Sequence, residues 1–236
     1  MTGLGEWRNN MFEKMRDTWT KAIQPIVLKL GDLDPSVLTW TSLLVSLVGF
    51  YVLAIAEINT TGALMIVAAV ILVLIAGVFD ALDGALARHQ GTDGPYGDFL
   101  DHTIDRIVDV GLLVAIGMNA SFVSNPDAGL IAGLLTLLGS YMGTQAQSVG
   151  LDRIYGGFSR ADRMIVTLLG LLIAAMQAYT GGSGIDIVSY NEYLEYILLG
   201  NTELNGMTAA LAVSAWGGVY TFLVRFNSTR KQLLEL

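Results

Sequence analysis

The sequence predicts an all-α integral membrane protein with six transmembrane helices and an N-terminal cytoplasmic amphipathic helix. Composition is the first reason, because 53% of the 236 residues are hydrophobic and only 14% are charged, whereas soluble domains carry about 25% charged residues. The second reason is that six apolar segments each reach about 20 residues, the length that crosses a hydrocarbon core of about 30 Å. The third reason is the grouping of lysines and arginines in alternate connections between these segments.

The first 34 residues are predicted to form the amphipathic, interfacial helix. Trp7, Met11 and Trp19 are separated by four and eight residues, which is a helical spacing. The basic residues of this stretch lie mostly at other positions. A basic amphipathic helix with Trp on its apolar side suits the membrane interface. Packing of the same apolar side on the protein's own helices is equally compatible with the pattern. Pro25 and Pro35 are predicted to end this helix and to restart the chain at the first span.

The six predicted spans follow in order. They lie at residues 37–57, 62–83, 98–119, 128–149, 162–180 and 206–226. The first span lacks the length pattern and the small-residue cleavage site of a signal peptide. We expect one domain over residues 1–236, with the six-helix bundle at 35–226 and a cytoplasmic tail at 227–236.

The positive residues predict the orientation of the chain in the membrane. Five precede the first span, two lie around the loop between spans two and three, three lie between spans four and five, and three lie at the C-terminus. The loops on the opposite side carry none, so both termini are expected in the cytoplasm. No basic patch with interleaved aromatic residues is present, and no nucleic-acid partner is expected. The absence of cysteine excludes disulfides and thiolate metal sites.

Aspartates crowd the cytoplasmic ends of spans two and three. Asp80 and Asp83 are three residues apart and Asp101 and Asp105 four apart, so each pair projects from one face of a helix. An Asp near the bilayer centre costs about 2.5 to 3.5 kcal/mol on insertion scales. A short loop joins the two spans, so the pairs are expected to face each other around a divalent cation. All-oxygen ligation favours Mg²⁺, Mn²⁺ or Ca²⁺, and four such ligands suit two cations.

The residues between the two pairs favour a pyrophosphate pocket over a proton relay. Gly84 and Ala87 leave room for a ligand close to the helix. Arg88 lies one turn beyond Gly84 and can fork onto a phosphate. A cation or proton transporter is the alternative from another class, because buried carboxylates also mark conduction paths. A transporter would be expected to distribute acidic groups across the membrane, whereas these cluster at one end.

The signature formed by these residues resembles that of the CDP-alcohol phosphotransferase family. It consists of Asp80, Asp83, Gly84, Ala87, Arg88, Gly97, Asp101 and Asp105 at matching spacings. The resemblance implies transfer of a phosphoalcohol group from a CDP-linked donor to an acceptor hydroxyl, with release of CMP. It also implies two divalent cations, Mg²⁺ or Mn²⁺, and a homodimer in membrane lipid.

The resemblance also implies roles for individual residues. The metal ligands would be Asp80, Asp83, Asp101 and Asp105, and Asp105 would also be the catalytic general base. The CDP-binding residues would be Ser36, Thr39, Asp80, Gly84, Ala87, Arg88 and Thr92. Ser36 stands where the family usually has Asn. Asp109 lies outside the signature, and we expect it to be solvated or paired with Arg106.

Two further segments resemble members that use inositol phosphate, the archaetidylinositol phosphate and phosphatidylinositol phosphate synthases. These segments are "FLDHTIDRIVD" in span three and "FSRADRMI" after span four. The resemblance implies that Arg160 and Arg163 bind the acceptor's phosphate, with Arg225 as a third candidate. The donor would be CDP-diacylglycerol or CDP-archaeol. Those members usually carry basic residues where Gly143 and Gln145 stand here, so glycerol phosphate or another alcohol stays an alternative acceptor.

Overall fold

The computed structural model describes residues 23–152 and 154–235, and the predicted N-terminal helix lies outside this part of the chain up to residue 22. The described elements are α1 (23–30), α2 (Pro35–Ala54), α3 (Thr60–Gln90), α4 (Pro95–Gly117), α5 (Asp127–Ser148), α6 (Arg160–Thr180), β1 (Ile185–Asp186), α7 (Leu194–Ile197), β2 (Glu203–Leu204) and α8 (Gly206–Leu234). Each of the six predicted spans coincides with one long helix. Helix α3 continues beyond the predicted end at residue 83, and α8 makes most of the predicted tail helical.

Four helices in the described part of the chain are long and apolar enough to cross a membrane, namely α2, α3, α6 and α8. Helix α4 spans 23 residues but carries five charged side chains between Asp98 and Asp109. Helix α5 spans 22 residues, and its second half is rich in glycine, hydroxyl and amide residues. The structure therefore describes a mostly helical membrane protein, and the count of six spans stays a prediction.

The start of the described chain differs from the sequence prediction. Helical conformation continues through Pro25, and the chain leaves it at Gly31, whose φ is +46°. Glycine adopts this left-handed conformation without the steric cost of a Cβ. Helix α2 then begins with Pro35 in its first position, and the Asp34 carboxylate accepts a hydrogen bond from the Ser36 amide at 2.9 Å. Both the proline in the first position and the capping hydrogen bond stabilise the start of a helix.

The described chain divides into two compact units. The first comprises the described residues up to Leu44 together with Ile75–Ile104. Its hydrophobic core consists of Ile23, Val27, Leu38, Leu82 and Leu86. This core packs α1 against the start of α2 and the end of α3. Helices α2 and α3 carry most of the residues predicted to bind CDP.

The second unit comprises Val45–Leu74 and Asp105–Leu236, and glycines allow its helices to approach closely. Helix α8 packs against both α5 and α6. A Cβ added at Gly218 would lie 2.7 Å from the carbonyl of Leu135 on α5, so the two backbones are nearly in contact. Small residues commonly allow such packing between membrane helices, where van der Waals contact drives association.

A short antiparallel pairing in the second unit was not predicted. Ile185 pairs with Leu204 and Asp186 with Glu203 in the connection between α6 and α8. Asn205 follows this pairing directly and caps α8, accepting hydrogen bonds from the amides of its first turn. The pairing therefore fixes the point at which the last long helix begins.

Candidate active site

The first unit contains a cavity of about 760 Å³ lined by three of the predicted metal ligands. Asp80 and Asp83 reach it from α3, and Asp101 reaches it from α4. Its volume lies within the range of about 300 to 1,000 Å³ that is usual for small-molecule sites. The three carboxylates thus share a space large enough for a nucleotide.

Every residue predicted to bind the nucleotide also lines this cavity. These residues are Ser36, Thr39, Asp80, Gly84, Ala87, Arg88 and Thr92. They come from the first turns of α2, the last three turns of α3 and the turn that follows α3. Residues that are 56 positions apart in sequence, from 36 to 92, therefore surround one site.

A buried hydrogen bond links α2 to the aspartates of α3. The Thr39 hydroxyl donates to Oδ2 of Asp83 at 2.5 Å, and both residues are buried, with 5% and 6% of their surface exposed. Asp80 is half-buried on the preceding turn. Thr39 thus lines the cavity and also donates to a carboxylate, and its contact with a nucleotide stays a prediction.

Arg88 is exposed, and its guanidinium lies over Gly84, one turn earlier on α3. A Cβ added at Gly84 would lie 3.3 Å from Nη1 of Arg88. The missing side chain at Gly84 therefore gives the arginine head its place on the wall of the cavity. A guanidinium at this place can form two parallel hydrogen bonds to a phosphate.

Gln90 is a structural member of the site that the sequence did not reveal. Its amide nitrogen donates to the carbonyls of Gly31 and Leu33 at 2.7 and 2.8 Å. These bonds join the last residue of α3 to the turn before α2, next to Asp34, which also lines the cavity. No local pattern marks such a contact, because its partners lie 59 and 57 residues away in the chain.

The fourth predicted metal ligand, Asp105, belongs to the second unit. It follows Asp101 by four residues on α4, so both project from the same side of that helix. Asp105 is buried, with 8% of its surface exposed. One of its oxygens lies 2.6 Å from Nη2 of Arg160, and the other lies 3.8 Å from Nη2 of Arg106.

Asp109, one turn further along α4, contacts three arginines. Nε of Arg160 donates to Oδ1 at 3.0 Å and Nη2 of Arg163 donates to Oδ2 at 3.2 Å. Nη1 of Arg106 lies 3.5 Å from Oδ2. The expected pairing with Arg106 is therefore present, and the two contacts from α6 are additional. We call Asp105, Asp109, Arg106, Arg160 and Arg163 the arginine cluster.

The start of α6 places two of these arginines side by side. Ser159 and Asp162 form a reciprocal capping box at the N-terminus of the helix, which defines its first turn. Arg160 is then the first helical residue, and Arg163 lies on the next turn, where it also donates to the Phe158 carbonyl at 3.2 Å. Thr221 of α8 holds this segment by accepting from the Phe158 amide at 2.9 Å.

Arg225, the third residue predicted for the acceptor phosphate, makes different contacts. Its guanidinium donates to the carbonyls of Gly156 and Gly139 at 3.2 and 3.0 Å. These carbonyls lie in the connection before α6 and in α5. The structure thus brings Arg160 and Arg163 together on one carboxylate, and it places Arg225 as a link between α8 and neighbouring backbone.

The long apolar helices define a helical membrane protein, and its first unit contains a cavity lined by three aspartates and Arg88. The sequence model of the CDP-alcohol phosphatidyltransferase family matches residues 33–199, which is more than half of the chain. The chain belongs to this family. It is therefore a transferase, and the alternative of a cation or proton transporter is not retained.

Individual relatives agree with this assignment. The chain is 35% identical over 128 residues to an archaetidylinositol phosphate synthase from Methanothermobacter thermautotrophicus, covering 54% of this chain and 64% of the relative. It is 29% identical over 185 residues to a phosphatidylinositol phosphate synthase from Cutibacterium acnes, covering 70% and 80%. The crystal structure of Mycobacterium tuberculosis phosphatidylinositol phosphate synthase in complex with manganese and citrate is similar in fold, with a TM-score of 0.63, 25% identity and coverage of 89% and 88%.

Proposed function

We propose that this protein synthesises a phospholipid by transferring a phosphatidyl or archaetidyl group from a CDP-linked lipid to inositol phosphate, with release of CMP. The observation that carries the proposal is the cavity of the first unit. Three signature aspartates and all seven residues expected to contact CDP line this one space, with Asp80 in both groups. Among the seven, Arg88 lies over Gly84. The names of the relatives favour inositol phosphate as the acceptor. Glycerol phosphate or another alcohol is the alternative within the same reaction class.

The donor set of the cavity fits divalent cations. Asp80, Asp83 and Asp101 supply carboxylate oxygens, the ligands that Mg²⁺ and Mn²⁺ favour, and the manganese complex of the M. tuberculosis enzyme agrees with this choice. We assign Asp105 as the fourth ligand and two as the number of ions. Bound cations would offset the negative charge of the donor's diphosphate.

The roles of the protein's own residues follow from their contacts. Ser36, Thr39, Gly84, Ala87 and Thr92 would line the bound CDP, and Arg88 would stabilise the charge that develops on the departing CMP. Asp105 would take the proton of the acceptor hydroxyl while that oxygen attacks the phosphorus that carries the lipid. The bond from this phosphorus to CMP breaks in the same displacement.

The arginine cluster supports a phosphorylated acceptor. Arg160 contacts both Asp105 and Asp109, so a guanidinium assigned to the acceptor's phosphate lies beside the assigned base. Two carboxylates and three guanidinium groups leave the cluster with an excess of one positive charge. A phosphate monoester would offset that excess and bring its hydroxyl-bearing ring toward Asp105. Arg225 is retained as a third candidate for the same phosphate.

The setting of the reaction is part of the proposal. The distribution of lysines and arginines supports six spans with both termini and the site in the cytoplasm. The cavity and the arginine cluster each consist of residues of a single chain, and we propose that two such chains form a homodimer. The lipid donor would come from the surrounding membrane as CDP-diacylglycerol or CDP-archaeol.

The test is release of CMP by the purified protein. The protein in detergent or nanodiscs is mixed with CDP-diacylglycerol or CDP-archaeol, Mn²⁺, and one of inositol phosphate, glycerol phosphate or inositol. We expect release that requires Mn²⁺ and inositol phosphate together. The variant Asp101→Asn should abolish it, whereas Asp127→Asn, the same change at an exposed site on α5, should not. Release of CMP with glycerol phosphate but not with inositol phosphate would refute inositol phosphate as the acceptor. No release of CMP with any of the three acceptors would refute the proposed reaction.

A further inference from the structure

We propose that Asp109 is a positioning residue that holds Arg160 and Arg163 in the geometry needed for the acceptor's phosphate. The inference rests on the proposed function and deepens it. Asp109 is outside the family signature and is not assigned to a metal or to the donor. Its role is inferred from the contacts that it makes in the second unit.

The Asp109 carboxylate is shared between two arginines of α6. Oδ1 accepts from Nε of Arg160 at 3.0 Å, and Oδ2 accepts from Nη2 of Arg163 at 3.2 Å. Asp109 itself is buried, with 7% of its surface exposed. One rigid group on α4 therefore sets the positions of two long side chains on another helix, and this is a function that neither arginine can perform for the other.

The contacts of Asp109 fix the direction of both guanidinium groups. A guanidinium has five N–H donors in a planar fork, and Nε of Arg160 is the donor to Asp109 at 3.0 Å. Nη2 of Arg160 is directed to Asp105, at 2.6 Å. Arg163 is buried, with 7% of its surface exposed, and it is held between Asp109 and the Phe158 carbonyl. The two heads are thus oriented by Asp109 before any ligand arrives.

Orientation of this kind matters because arginine side chains are flexible. Fixing a free arginine costs side-chain entropy, and this cost would reduce the binding free energy of the ligand. A preorganised site avoids this cost on binding. Without the Asp109 charge, Arg163 would be a buried cation with a carbonyl and a neutral neighbour, and it would be expected to turn toward water.

Charge and position predict opposite results when Asp109 is neutralised. The cluster contains two aspartates and three arginines, so removing the Asp109 charge raises its net charge from +1 to +2. If only net charge mattered, Asp109→Asn would bind a phosphate more tightly. If Asp109 positions the arginines, the same variant binds the phosphate more weakly in spite of the added positive charge.

The experiment measures CMP release with inositol phosphate varied at saturating donor, and with the donor varied at saturating inositol phosphate. For Asp109→Asn we expect the KM for inositol phosphate to rise by about tenfold or more, with little change in the KM for the donor. Asp109→Glu keeps the charge on a longer arm, so its acceptor KM should lie between the wild-type and Asp109→Asn values. Asp127→Asn is the matched control and should keep both constants.

Arg163→Lys is a second variant that does not depend on the folding of Asp109→Asn. It keeps the positive charge but loses the planar fork, so its acceptor KM should also rise. The KM for inositol phosphate of the double variant Asp109→Asn/Arg163→Lys should not exceed the higher of the two single-variant values. Both changes disrupt the same interaction between Asp109 and Arg163, so their effects should not add. Thermal unfolding of each variant shows whether a change in rate reflects loss of folded protein.

The outcomes separate this inference from the proposed function. Wild-type protein that releases no CMP with inositol phosphate refutes the proposed acceptor, and this inference with it. Active wild-type protein together with an unchanged or lower acceptor KM in Asp109→Asn refutes the positioning role alone. Strictly additive effects of Asp109→Asn and Arg163→Lys would also overturn it.

Discussion

Replacement of Thr39 by Val tests whether the hydrogen bond to Asp83 controls metal binding. The change keeps the shape of the side chain and removes the hydroxyl that donates to Asp83 Oδ2 at 2.5 Å. Both partners are buried, so water cannot readily replace the lost donor. An Asp83 carboxylate without this donor has fewer constraints on its orientation toward the cavity.

The size of the effect follows from the nature of the bond. A hydrogen bond to a charged group contributes about 1.5 to 3 kcal/mol, and about 1.4 kcal/mol corresponds to a tenfold change in an equilibrium constant. If Asp83 is a metal ligand, Thr39→Val should weaken Mn²⁺ binding by about 10- to 100-fold. The same range is typical for residues that orient a metal ligand through a hydrogen bond.

The assay is CMP release as a function of Mn²⁺ concentration at fixed donor and acceptor. Thr39→Val should shift the half-saturating Mn²⁺ concentration upward, with partial recovery of the rate at high Mn²⁺. Thr41→Val is the matched control, because Thr41 lies on the same helix and its hydroxyl donates to the Val37 carbonyl of α2 itself. A Thr39→Val protein with the Mn²⁺ requirement and the rate of the wild type would show that Asp83 does not act as a metal ligand oriented by Thr39.

Three further predictions concern the base, the cations and the helix packing. Asp105→Asn should lower the rate of CMP release by about 100-fold or more, as expected for a general base, and Asp127→Asn measured in parallel should not. Treatment with EDTA should stop CMP release, and added Mn²⁺ should restore it; activity that survives exhaustive chelation would contradict the metal assignment. Gly218→Ala should lower the thermal unfolding midpoint in detergent, because its Cβ would lie 2.7 Å from the Leu135 carbonyl and overpacking costs about 1 to 3 kcal/mol. Gly77→Ala on α3, where a Cβ meets nothing within 4 Å, is its control.

The parts of the structure that depend on neighbouring residues could be predicted from the sequence. Apolar length located the long helices, and the spacing of Asp80, Asp83 and Asp101 located the residues that line one cavity. The ends of helices were less accurate, because α3 carries its helical hydrogen bonding through polar residues to Gln90. A prediction based on hydropathy ends the helix where the apolar residues end, so it misses the polar last turns of α3.

The parts that depend on distant residues could not be predicted. Asp109 lies 51 residues from Arg160 and 54 from Arg163, and no periodic pattern connects α4 to the first turn of α6. Sequence spacing identified only the local partner, Arg106. The same holds for the pairing of Ile185 with Leu204, since neither two-residue strand has a recognisable alternation.

In the proposed reaction, the length of α3 would determine the depth of the active site in the membrane. Its 31 residues correspond to about 46 Å at a rise of about 1.5 Å per residue, which exceeds the hydrocarbon core of about 30 Å by roughly three helical turns. For a helix close to the bilayer normal that begins at one surface with Thr60, the hydrocarbon ends near Asp80. Asp80 and Asp83 would then lie at the level of the lipid headgroups. A lipid-linked nucleotide could present its diphosphate to them while its lipid chains stay in the hydrocarbon core.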